Sequence, residues 1–130
     1  MRGLLRMGVV GTLFLVGWVF VAAGCTKEEK LYRVSGTVTY EGKPIPKGLI
    51  FFDPQADGPQ GFANILGGKY DTTALGKGVR GGQYNIRVNG FDGKEANEAP
   101  FGQALFPEYT GTKELPAQDY AFDLEITKKR

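Results

Sequence analysis

Apolar positions fall into two regimes along this chain. Between Met7 and Ala23 no residue is charged, and Val9, Val10, Leu13, Phe14, Leu15, Val16, Trp18, Val19, Phe20 and Val21 supply an almost continuous hydrophobic run. After Cys25 the pattern changes to short stretches in which apolar and polar residues alternate, separated by Gly and Pro. Alternation with period 2 gives a strand one buried and one wet face, whereas an N-terminal apolar run of this kind marks a secretory signal.

The alternation predicts strands in order. Over 31–40, Val34, Gly36, Val38 and Tyr40 share one face, and Arg33, Ser35, Thr37 and Thr39 share the other. Glu41-Gly42-Lys43-Pro44-Ile45-Pro46 predicts a turn, because Gly42 accepts positive φ and the prolines donate nothing to a ladder. Residues 48–53 are apolar on both faces, as in a central strand. A third strand over 60–66 ends at Gly67-Gly68, a hairpin signal before 69–73. The glycines of 74–82 mark a loop. Over 83–89, Tyr84, Ile86 and Val88 face in. A long irregular stretch, 90–116, follows. Over 118–127, Tyr120, Phe122, Leu124 and Ile126 face in and Asp119, Asp123 and Glu125 face out. No helical stripe occurs after Cys25. Six or seven short strands of this kind predict one all-β domain over 31–130, an antiparallel sandwich. Its edge strands need protection, for which Lys and Pro near strand ends are the usual devices.

The N-terminus completes a three-part signal: basic Arg2 and Arg6, the apolar run, then small residues. A membrane-spanning helix needs roughly 20 apolar residues. This run is shorter and contains Gly8, Gly11 and Gly17, so a helical signal peptide over 1–24 is the expectation. Val21-Ala22-Ala23-Gly24-Cys25 resembles a bacterial lipobox, with Ala22 where Leu is usual. The resemblance implies cleavage before Cys25 and acylation of its thiol. Two or more acyl chains anchor firmly where one does not. Thr26-Lys27-Glu28-Glu29-Lys30 then forms a charged spacer within 25–30, and the protein is expected in the cell envelope, exported and held to the membrane through Cys25.

Charge excludes one class of partner. Of 16 Lys and Arg residues two precede Cys25, and the rest balance 14 Asp and Glu. Nucleic-acid binding calls for a basic face that this balance does not supply. The chain has 0 His and 1 Cys, so Ser–His or Cys–His catalysis and a His/Cys zinc site are excluded. Asp53-Pro-Gln-Ala-Asp57-Gly58 lacks the alternating ligands and distant Glu of a calcium loop. Gly76-Lys77-Gly78 lacks the Ser or Thr that a phosphate-binding loop places after its Lys. Asp53, Asp57 and Asp71 sit at strand ends, where a carboxylate caps a turn.

Val34-Ser-Gly-Thr-Val38, Gly42-Lys-Pro-Ile-Pro46 and Gly48-Leu-Ile-Phe-Phe52 together resemble the opening of carboxypeptidase regulatory-like, transthyretin-like domains. Gly68-Lys-Tyr70, Gly82-Gln-Tyr-Asn-Ile-Arg-Val88, Phe106-Pro-Glu-Tyr109 and Tyr120-Ala-Phe-Asp-Leu124 resemble the small lipoproteins of this type found in planctomycete bacteria. The resemblance implies a seven-stranded, prealbumin-like sandwich, an envelope location, and neither cofactor nor catalytic residues. A non-enzymatic structural or protein-binding module is the expected function. A carbohydrate-binding module is the alternative, with Phe91 and Phe101 of the long 91–115 segment as contacts; Phe106 and Tyr109 are expected to plug the end of the sandwich.

Overall fold

The computed structural model describes residues 30–74 and 76–128. Cys25, the signal segment and most of the spacer lie outside these residues. The described chain is all-β: β1 (Val34–Tyr40), β2 (Lys43–Pro44), β3 (Lys47–Pro54), β4 (Gly61–Leu66), β5 (Lys69–Asp71), β6 (Gly76–Lys77), β7 (Gly82–Phe91), β8 (Tyr109–Leu115), β9 (Tyr120–Ala121) and β10 (Leu124–Ile126). They form one curled sheet, ordered β10-β1-β5-β4-β3-β7-β8, with β2 and β9 paired to β1 and β6 paired to β4.

The curl encloses the inward residues that alternation picked out on β1, β7 and β10, together with residues of β3 and β4. Val34 and Val38, Ile50 and Phe52, Ala63 and Ile65, Tyr84, Ile86 and Val88, and Ile126 are buried. The outward face of β3 is only half covered, by Leu49 and Phe51, although β3 lies centrally between β4 and β7. Two hairpins turn where the sequence required. Glu41 and Gly42 have φ of 51° and 76°, and Gly67 and Gly68 have 57° and 78°. Paired positive angles give the tight turn whose twist suits flanking strands.

Four features depart from the sequence reading. The irregular stretch contains β8, which pairs with β7 through seven positions from Gly82↔Leu115 to Val88↔Tyr109. Its inward positions are Tyr109, Gly111, Lys113 and Leu115, so no apolar alternation announces it. The loop at 74–82 holds β6 and a bridge from Val79 to Tyr32, and Val79 is fully buried. Ile45, in the turn, is fully buried as well. Finally, the sheet is not wholly antiparallel: β9 and β10 run parallel to β1.

That parallel strip explains the ordering of the C-terminal segment. Val34 pairs with Tyr120 and Tyr40 with Ile126, a constant register across both short strands. Side chains fill gaps in the ladder: Asp119 Oδ1 accepts from Arg33 N at 2.9 Å and Asp123 Oδ1 from Thr37 N at 2.9 Å. Gly36 lies against the interruption between β9 and β10, where a Cβ would sit 2.1 Å from the Phe122 carbonyl oxygen.

Candidate functional site

The sheet path ends at β8 and β10, and among the described residues each is paired along one side only. They meet across a seam. One half is filled by side chains: the Lys113 Nζ lies 5.3 Å from the Phe122 ring centre and 5.9 Å from that of Tyr120. The other half opens into a cleft of about 490 Å³, lined by Tyr40, Leu105, Phe106, Pro107, Glu108, Tyr109, Thr110, Ile126, Thr127 and Lys128. Tyr40 and Phe106 pack with ring centres 4.7 Å apart. The Phe106 ring presses on Gly90, where a Cβ would lie 2.8 Å from it, so β7 carries no side chain there. Of this lining Ile126 is buried, whereas Thr110 and Thr127 are exposed.

The segment from Asp92 to Glu108 reaches this position through its own hydrogen bonds. Asp92 Oδ1 accepts from Lys94 N at 2.8 Å and Gln103 N at 3.2 Å, and Ala96 and Ala99 exchange backbone bonds of 3.0 Å. Leu105 N returns to Gly90 O at 2.9 Å, and Lys47 holds Glu95 at 2.9 Å. Phe91 and Phe101 are brought together, ring centres 5.7 Å apart and planes inclined by 42°. Phe91 ends β7 and is half-buried; Phe101 is 46% exposed. Neither lines the cleft. Phe106 and Tyr109 do, and both are partly buried against the core.

The acids whose pKa is lowered, Asp53 and Asp71, lie outside the cleft. Asp53 accepts from Arg87 and Gln60, and the Arg87 hydrogen bond holds its carboxyl below the usual range. Asp53 was expected to cap a turn; instead its register opposite Asn85 sets it diagonally beside Arg87 on the outer face of β7. Arg87 also lies over the Phe51 ring and 3.6 Å from Glu108. Asp71 does cap its turn, through Thr73 N and Oγ1, and it also receives Arg33, whose hydrogen bond pushes its pKa far down. Burial pushes the Tyr70 hydroxyl up, aided by the nearby Asp123 charge, and that hydroxyl donates to Phe122 O. Each of these groups has a hydrogen-bond partner: an arginine for each carboxylate, and the Phe122 carbonyl for the Tyr70 hydroxyl. Among the described residues no cluster of acids, Cys or His could hold a metal ion.

Sequence reasoning named Cys25, Phe91 and Phe101. The structure joins the two phenylalanines, and Cys25 lies outside the described residues. It missed the cleft because its walls come from positions 40, 105–110 and 126–128, joined only by the seam. No protein-family model and no curated protein matches this chain.

Proposed function

We propose that this chain is an exported envelope lipoprotein, anchored through acylated Cys25, whose β domain is a prealbumin-like sandwich that binds a protein partner without catalysing a reaction. The observation that carries the binding role is the chemistry of the seam cleft. Its lining offers ring faces, aliphatic surface and hydroxyls, the composition of a contact pocket. The acids with lowered pKa are hydrogen-bonded to arginines elsewhere. The curl of the sheet around one core supports the sandwich, and the lipobox-like residues support the anchor.

The test uses the tagged full chain purified from its native envelope under mild detergent. A stoichiometric partner is expected, and it should be lost in Thr110→Arg and Thr127→Arg, which fill the mouth from exposed positions. Retention of the partner in both variants would overturn the cleft as binding site. A hydrolytic or transferase activity lost on replacing one acid would overturn the non-enzymatic reading. Cys25→Ser should abolish labelling by an alkyne fatty acid; label persisting on that variant removes the anchor.

A second reading, polysaccharide binding, rests on the exposed ring of Phe101 beside Phe91. It requires retention on an envelope polysaccharide gel that Phe91→Ala and Phe101→Ala both weaken.

A further inference from the structure

We propose that the end of the domain nearest the anchor is a lipid-facing surface, with Leu31 and Phe62 entering the interfacial layer and Lys30 and Lys77 meeting lipid phosphates. This rests on the anchor reading of Cys25 and adds a second, non-covalent membrane contact to it.

The exposed large apolar side chains of the described residues are Leu31, Phe62, Leu66 and Phe101. One such residue alone is ordinary on a protein surface. Leu31 and Phe62, each 37% exposed, are brought near one another by the backbone. Tyr32 bridges to Val79, Lys77 pairs with Phe62, and the Leu31 Cβ lies 3.4 Å from the Cβ position of the intervening Gly78. Two strand spacings separate them, on the order of 10 Å.

Chain length places this end at the bilayer. The six residue steps from Cys25 to Leu31 extend at most ~22 Å, so an acylated Cys25 keeps Leu31 within that reach of the headgroups. Tethering raises the local concentration of a weak contact enough for it to be occupied. The charges suit an interface. Lys30 extends over the Tyr32 ring at 5.5 Å, and neither it nor Lys77 has a carboxylate partner among the described residues. Arg80 is on the same end and reaches Asp57 O at 3.5 Å. Against these cations stand Asp57 and, in the spacer, Glu28 and Glu29, so apolar insertion with cations at the phosphate level carries the contact rather than bulk charge.

The test is made on the full chain, produced in a lipoprotein-processing bacterium, purified from membranes and reconstituted in phosphatidylcholine vesicles with and without phosphatidylglycerol. Leu31→Trp and Phe62→Trp serve as separate reporters, each in a Trp18→Phe background so that the chain's one natural tryptophan contributes no emission whether or not the signal is removed. Mass spectrometry of the same sample reports acylation. The expected result is blue-shifted emission quenched by brominated lipid at both positions, with Lys77→Glu lowering the docked-to-undocked ratio by at least roughly five-fold in anionic vesicles. Acylated protein whose two reporters stay unquenched would overturn the proposal while leaving the anchor intact. If no acyl group is found, quenching at both positions still supports the docking face and only the anchor reading fails; absent quenching then removes both.

Discussion

At the residue scale, stability depends on a few polar groups whose partners lie far away in sequence. The Arg33–Asp71 and Arg87–Asp53 pairs hold both carboxyls below their usual range, chiefly through the arginine hydrogen bonds. The unfolded chain therefore binds more protons in acid than the folded one does. Their contribution is complete above the unfolded carboxyl range and is lost as pH falls below about 4. Urea midpoints measured between pH 6 and pH 2 should fall accordingly, and Asp71→Asn should lower the midpoint at pH 6 while flattening the acid loss. Tyr70 works in the opposite direction. Its pKa is raised by burial, so its contribution is complete below about 10 and is lost as pH rises beyond that. Tyr70→Phe removes the hydrogen bond to Phe122 O and should cost about 1 kcal/mol near neutrality, with a flatter alkaline limb. The hairpin signal at Gly67-Gly68 put Tyr70 in the strand that follows, but its bond to the C-terminal strip depends on β5 and β9 flanking β1.

At the element scale, the contrast between β7 and β8 shows what alternation can and cannot reveal. Tyr84, Ile86 and Val88 are apolar because β7 covers the core on one face. β8 has Gly111 and Lys113 at its inward positions and is held by its ladder to β7. Such a strand leaves little hydrophobic signal in the sequence. Lys113 also answers the edge problem, since an inward charge on an edge strand discourages pairing with another sheet. Lys113→Val should therefore self-associate at lower concentration than the natural chain in sedimentation velocity. At the other edge, Gly36 allows the Phe122 carbonyl to approach β1. Gly36→Ala forces the C-terminal strip outward and should cost more than about 2 kcal/mol in urea denaturation, with hydrogen-exchange protection lost first in β9 and β10.

At the scale of the whole molecule, the proposed lipid-facing end and the cleft lie at opposite ends of β1. The strap at Tyr32 precedes its first residue, and Tyr40 at its last lines the cleft. A seven-residue strand separates them by roughly 24 Å. Photo-crosslinkers placed in the anchored chain should distinguish the two ends: at Thr127 the product should be protein, and at Lys77 lipid. Lipid adducts at Thr127 equal to those at Lys77 would remove this polarity.

Local pattern alone determined the all-β class, the tight turns at Gly42 and Gly67-Gly68, and the inward faces of β1 and β7, because each rests on period-2 burial or on backbone angles within a few residues. It also isolated Cys25, whose proposed role depends on neighbours in sequence alone. Tertiary structure decided the rest. β8 exists because β7 offers it a ladder, Val79 and Ile45 are core because the curl closes over them, and the cleft exists because the sheet ends at two strands that meet without pairing. None of these is a property of any one segment. Each depends on which distant residues the sheet brings side by side, and hydrogen-bond pairing of that range leaves no periodic trace in either partner.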